Sequence, residues 1–428
     1  MVVPAGKFLT GPIHLLDNVE LHLAEGAELI FSDCFEDYLP PVLVRVGGIE
    51  IHNYSPLVYA HGRKNIAITG SGRLNGNAKS WWGWKTKETK DSYKAGETGT
   101  PVAERVFGTP EAAIRPSFVS FVDCRNILLE DFTIGSGPNW TIHPVYCENL
   151  TIRRVTVDTD GPNNDGIDPD SCRDVLIEHC TFNTGDDCVV LKSGYNEDGW
   201  RVGKPTENVI MRHCFSKHGH GGLVIGSEMS GDVRNVFMHD CRFEGTDRAI
   251  RIKSRRGRGG VVEKVYARDI SVKNMKHEVI ILNMDYTADK NKAGNDKAPV
   301  FRDMTFERIT ADGAPVAIRI QGEGDSPISD IRFSDISIKS TRGVIASHAS
   351  GLLFENVSII SESGAAFEFS DVAGAILRRA PAPADSHVFL KLTGRGCRDI
   401  LIESSELGGA REPVAVSGGA NLRSVTIR

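Results

Sequence analysis

The feature that most constrains this chain is an internal repeat. A short phrase, a polar residue followed by alternating apolar positions, recurs as Asn126-Ile-Leu-Leu-Glu-Asp-Phe-Thr-Ile, Asn149-Leu-Thr-Ile-Arg-Arg-Val-Thr-Val, Asp174-Val-Leu-Ile-Glu-His-Cys-Thr-Phe, Asn208-Val-Ile-Met-Arg-His-Cys-Phe-Ser and Asn235-Val-Phe-Met-His-Asp-Cys-Arg-Phe. It continues at Lys264, Asp303, Asp330, Gly351 and Asp399, and earlier copies start at Asn18 and Asn65. From Asn126 the steps are 23, 25, 34, 27, 29, 39, 27, 21 and 48 residues, a base period with loop insertions, which is the signature of a solenoid.

Within each copy the hydrophobic alternation has period 2, rich in Val, Ile, Leu and Thr and closed by Gly, Asn or Asp turns, so it reads as short strands. No window keeps a helical period. The consistent solution is an all-β chain, a right-handed parallel β-helix of about a dozen coils stacked roughly 4.8 Å apart. On length alone, 428 residues suggest two or three domains. An elongated repeat escapes that arithmetic, so one catalytic domain over 1–428 is expected, with loops projecting near 76–115, 194–206, 284–299 and 370–390. Cys180, Cys214 and Cys241 each lie six residues after their coil's anchor, where other copies carry Phe132, Val155, Ile270 or Ile336. They read as small buried hydrophobes of one interior column.

Composition removes several alternatives. The formal charge of −6 gives no electrostatic reason to bind nucleic acid or an anionic membrane. No apolar stretch approaches the ~20 residues of a membrane span. Nine cysteines without CxxC or Cys/His spacing indicate neither a disulfide framework nor structural zinc. The start, Met1-Val-Val-Pro-Ala-Gly-Lys, has no charged region followed by an apolar one, so no signal peptide is read there.

Polar residues gather at one place in four consecutive coils: Asn163-Asn-Asp165-Gly-Ile-Asp168, Gly185-Asp186-Asp187-Cys, Gly219-His220-Gly-Gly and Arg251-Ile-Lys253. Counted from their anchors, Asp186 and His220 fall at the same offset, as do Lys192, Gly226 and Lys253. Asp165 joins the Asp187 column if Gly161-Pro-Asn is a three-residue insertion. Stacking then brings three carboxylates, an imidazole, a guanidinium and an ammonium within roughly 5–10 Å of one another. Clustered carboxyls cannot all ionise cheaply, so an acid and a base can coexist there, as glycosidic hydrolysis requires. Arg251, Lys253, Arg255, Arg256 and Arg258 form a basic strip in a net acidic chain, and Arg suits bidentate capture of carboxylates.

These four ordered motifs resemble those of the polygalacturonases, pectin-degrading β-helical glycoside hydrolases of family 28, and Gly226-Ser-Glu-Met-Ser and Trp81-Trp82 add to the likeness. The resemblance implies that Asp186 is the general acid, that Asp165 and Asp187 activate the water, and that the anomeric centre inverts. It further implies that His220 supports the acid, that Asn163, Arg251, Lys253 and Tyr286 bind an acidic sugar, and that no metal or cofactor takes part. One departure is Asn164, where the family usually has Thr. The expected partner is an acidic polysaccharide or oligosaccharide, attacked from the chain end because the 76–115 and 284–299 insertions could close the groove. A monomer is expected, and the resemblance implies a secreted or periplasmic enzyme.

Alternatives accompany these readings. Gly185-Asp-Asp could serve only to shape a turn, and Arg255, Arg256 and Arg258 could be a solvated face. Lys192 reads either as a substrate contact or as a plain exposed lysine, and Asp168 as a brace of its turn outside the catalytic set. Trp81, Trp82 and Trp84 either stack on sugar rings or, the favoured reading, anchor the long insertion. Competing functions are a rhamnogalacturonan or xylogalacturonan hydrolase, a calcium-dependent pectate lyase using Asp165, Asp186 and Asp187 as ligands, and a non-catalytic β-helical binding module.

Overall fold

The computed structural model describes residues 1–286, 294–384 and 386–428. Two compact units are distinguished, Met1–Val233 and Arg234–Arg428, and each is built as a right-handed parallel β-helix.

In the first unit, Glu20–Leu23, Lys64–Thr69, Arg125–Glu130, Glu148–Arg153, Arg173–Glu178 and Thr206–Arg212 lie one above another, all parallel. Leu21, Ile68, Leu129, Ile152, Ile177 and Met211 occupy one register column and are buried. Each such side chain contributes about 1.5–3 kcal/mol over an exposed one. A second ladder runs through Ala27–Phe31, Arg73–Asn75, Thr133–Gly135, Thr156–Asp158, Thr181–Asn183 and Phe215–His218. The third contains Val58–His61, Val119–Val122, Ile142–Val145, Val189–Leu191 and Leu223–Ile225, with Ile167 bridging Ile142 to Val189.

The polar anchor of the repeat has a backbone cause. Asn65, Asn126, Asn149, Asp174 and Asn208 all have φ between +56° and +58°, a left-handed conformation that Asn and Asp tolerate because their short side chains can hydrogen-bond locally. Here those side chains also bond upward. Asn65 donates to Asn18 at 2.8 Å, Asn126 to Asn65 at 2.9 Å, Asn149 to Asn126 at 2.9 Å and Asn208 to Asp174 at 2.8 Å. Five residues on, Asp131, Arg154, His179 and His213 are left-handed too, and the next residue turns inward. Cys180 and Cys214 occupy that inward position beside Phe132 and Val155, buried as expected. All nine cysteines are free thiols.

The second unit follows the same rule. Lys264, Asp303 and Asp330 are left-handed anchors, and Val261–Lys273, Val300–Asp312 and Ile328–Ser340 are consecutive parallel strands. Phe306, Phe333 and Phe354 stack through its interior with ring centroids 5.2 and 4.9 Å apart, and Cys241 is buried.

The insertions differ in kind. Residues 76–115 hold two short helices, Lys79–Trp82 and Asp91–Glu97, and 194–206 holds the helix Asn196–Val202. Trp81 and Trp84 are buried, packed on Phe35 and Tyr54, so these two rings anchor the first insertion. The segment 284–299 lies partly outside the described residues. Residues 370–390, read above as a loop, instead carry strand: Ile376–Arg378 pairs with Leu353–Glu355 on one side and Leu401–Glu403 on the other. Gly374, at φ +65°, is the anchor of a coil that the sequence reading skipped. A further element went unread, an antiparallel hairpin of Val42–Val46 and Ile49–Asn53. Its Arg45 is buried against Asp170 at 2.9 Å, and Asp198 of the Asn196–Val202 helix is buried against Arg105 at 2.8 Å.

Candidate active site

The carboxylates Asp165 and Asp187 are placed by the third ladder. Gly166 N–H donates to Asp187 O at 2.9 Å and Ile167 bridges Val189, so Asp165 and Asp187 sit at the same level of adjacent coils, in the register expected from a three-residue insertion. Both are buried. One coil on, Val189 pairs with Leu223, which puts His220 at the level of Asp186. His220 N–H donates to Asp186 O at 2.9 Å, and His220 Nδ1 meets Asp186 Oδ1 at 2.9 Å.

The Asp186 carboxyl is further fixed by Asp187 N–H, which donates to Oδ1 at 2.9 Å, and by Asn163 Nδ2, which donates to Oδ2 at 3.3 Å. Its side chain is 18% exposed and that of His220 46%, so this pair faces solvent over the buried Asp165 and Asp187. Burial first, then the neighbouring carboxylates Asp186 and Asp168, pushes the Asp165 carboxyl well above its ordinary range.

Asn163 owes its orientation to a residue that sequence reading missed. Arg115, at the end of the first insertion and buried, donates to Asn163 Oδ1 at 2.9 Å, to Pro162 O at 2.7 Å and to Pro138 O at 3.0 Å. Nothing in the repeat marks Arg115, because it reaches its partners across coils. Asn164, the departure from the family motif, does not face the groove. It is buried, accepts from Gly161 N–H at 3.0 Å and donates to Gly137 O and Asn139 O at 3.1 and 3.0 Å, so it staples the turn that presents Asn163 and Asp165. Trp82, unlike Trp81, is only half-buried and donates to Gly137 O at 3.0 Å beside that turn.

Lys192 is not a plain exposed lysine. It is buried, 3.0 Å from Glu228 and 4.0 Å from Asp168. Asp168 is buried beside it.

In the second unit, Arg251 and Lys253 pair with Ile281 and Asn283 on the next strand. The Tyr286 ring lies against both cations, 5.4 Å from the Arg251 guanidinium carbon and 5.2 Å from Lys253 Nζ, and Tyr286 N–H donates to Ser254 O at 3.1 Å. The strip beyond is not a uniform solvated face. Arg256 pairs with Glu323 at 2.5 Å and with Asp325, and Arg258 is fully buried.

Asp186, Asp187 and His220 each bring one potential ligand atom within 4.8 Å of the others. Two carboxylates and an imidazole suit calcium poorly, since that ion takes six to eight oxygens.

Residues 104–357 match the family model described as glycosyl hydrolases family 28. The chain is 30% identical over 350 residues to a probable polygalacturonase of Vitis vinifera, covering 79% of this chain and 66% of that protein. It is 26% identical over 400 residues to an exo-poly-alpha-D-galacturonosidase of Dickeya chrysanthemi, covering 83% of this chain and 65% of that one. The chain thus spans just under two thirds of the length of these relatives. Among solved structures, the exopolygalacturonase of Thermotoga maritima superposes with a TM-score of 0.80 at 44% identity, over 85% of this chain and 84% of that one. The chain belongs to glycosyl hydrolase family 28.

Proposed function

We propose that this chain is an exo-acting polygalacturonase that hydrolyses galacturonan with inversion. The observation that carries the reading is the partly exposed Asp186, clamped by His220 and Asn163 beside the buried Asp165 and Asp187. In the reaction, Asp186 donates its proton to the leaving glycosidic oxygen. Asp165 and Asp187 hold water between them and take its proton as the oxygen attacks the anomeric carbon from the opposite face. His220 and Asn163 keep the Asp186 carboxyl aimed. Arg251 and Lys253, gathered on Tyr286, are assigned to a uronate carboxylate. The exo mode is supported by the likeness to the exo-poly-alpha-D-galacturonosidase of Dickeya chrysanthemi and the exopolygalacturonase of Thermotoga maritima.

The test is product analysis on polygalacturonate, rhamnogalacturonan and xylogalacturonan in the presence of a chelator. Short saturated products from polygalacturonate, initially of inverted anomeric configuration, are expected. Random oligomers early in digestion would overturn the exo mode, and an ultraviolet-absorbing unsaturated product would overturn hydrolysis itself.

A further inference from the structure

A buried lysine lies beside the buried Asp168. Lys192 Nζ lies 3.0 Å from Glu228 Oε2, 4.0 Å from Asp168 Oδ1 and 4.3 Å from the centre of the Trp140 ring. It is held there by its own strand, whose N–H at Lys192 donates to Pro169 O at 2.9 Å. The residue is only 3% exposed, and its ammonium is taken up by Glu228 and the Trp140 ring. Asp168 is fully buried and neither of its carboxyl oxygens has a hydrogen-bond partner, so it cannot carry a charge cheaply. Burial accordingly pushes it well above its ordinary range, against the pull of Lys192.

The other groups packed around this ammonium do not compete for it. His143 is buried, and burial pushes its imidazole down, so it stays neutral. Asp170, beyond it, is matched by Arg45 at 2.9 Å. The charge of Lys192 is therefore met chiefly by Glu228 at 3.0 Å, with Asp165 and Asp187 behind it. Together they hold the ammonium protonated even though burial alone would lower it.

We propose that Lys192 is a positioning residue of the reaction. Set 4.0 Å from Asp168 in the buried layer, its ammonium supplies the positive charge that lets Asp165 accept a proton from water, while Asp168 stays neutral. The proposal rests on the hydrolase reading above and adds to it the group that sets the ionisation of the base.

Two variants of the full chain test it through the pH dependence of kcat. Lys192→Met should move the acidic limb up by about one to two pH units, the effect of removing a neighbouring cation from a carboxylate, with KM within about twofold. Glu228→Gln, which frees the ammonium from its nearest carboxylate, should move the same limb down. A rise in KM with the limb unmoved would show Lys192 to be a substrate contact and overturn the proposal. If Lys192→Met fails to fold, an unmoved limb in Glu228→Gln overturns it instead. Infrared titration of isotopically labelled aspartates, with Asp165→Asn and Asp187→Asn to assign the bands, reads the same ionisation without substrate. An inactive wild type would thus sink the hydrolase reading, while an infrared titration unchanged between wild type and the variants would sink this one.

Discussion

Replacing Asp186 by Asn separates chemistry from architecture at one atom. Asn is isosteric and keeps an acceptor oxygen for Asp187 N–H, now at 2.9 Å, and a polar group facing His220 Nδ1, also at 2.9 Å. At most one or two of these hydrogen bonds weaken, each worth about 0.5–1.5 kcal/mol and up to about 3 where charged. Because the side chain is partly solvated, water can take up part of that loss, so the fold should change by no more than about 1–2 kcal/mol. The proton donor, by contrast, is lost entirely. General-acid catalysis supplies about 10²–10⁴ in rate, so kcat should fall by that factor, a barrier rise of about 3–5.5 kcal/mol. The assay is reducing-end release from polygalacturonate, set beside a urea unfolding curve and calorimetric binding of a short oligogalacturonate. A variant that folds, binds and keeps more than a tenth of the wild-type kcat would refute the assignment of Asp186 as acid.

Other substitutions test the parts that hold this centre. Trp81→Ala empties a fully buried ring site packed against Phe35, Tyr38, Tyr54 and Trp84 and should cost about 3–5 kcal/mol in urea unfolding. Gly185→Ala would drive its Cβ into the backbone oxygen of Gly161, so the turn carrying Asp186 must shift, and both kcat and the urea midpoint should drop. Burial raises Asp198, but hydrogen bonds from Arg201, Glu50 N–H and Arg105 outweigh it and hold the carboxyl below its ordinary range. Its contribution is thus present above about pH 4 and lost as pH falls through the folded value, so Asp198→Asn should flatten the loss of stability between neutral and acidic pH. An equally steep acid dependence in that variant would count against the linkage.

Much of this was legible in the chain because the repeat ties sequence spacing to spatial level. The offset shared by Asp186 and His220 became the 2.9 Å contact, and the three-residue allowance that aligned Asp165 with Asp187 became the hydrogen bond from Gly166 to Asp187. Burial of Cys180, Cys214 and Cys241 followed from the same counting. What escaped lies off the repeat. The Val42–Asn53 hairpin has no anchor phrase, although Gly47-Gly48 between two alternating runs is a hairpin signal, since both positions require positive φ. Arg115 acts across coils, which no local pattern encodes. Gly374 was passed over because two of the three inward positions after it, Ala375 and Ala380, are alanines that blunt the apolar alternation. Lys192 was misread because its column could be counted but its direction could not.

The left-handed anchors also determine what kinds of length change the first unit can absorb. Residues 126–148 begin on Asn126 and end just before Asn149, whose side chain bonds back to Asn126 at 2.9 Å. A tandem copy of that segment would begin on asparagine and be followed by asparagine, and so could re-form the same bond at each junction. Deletion of a single residue within a strand would instead invert the facing of every residue after it in that strand. Whole turns of the helix are therefore the natural unit of gain and loss, because adding or removing one leaves the levels on either side in register.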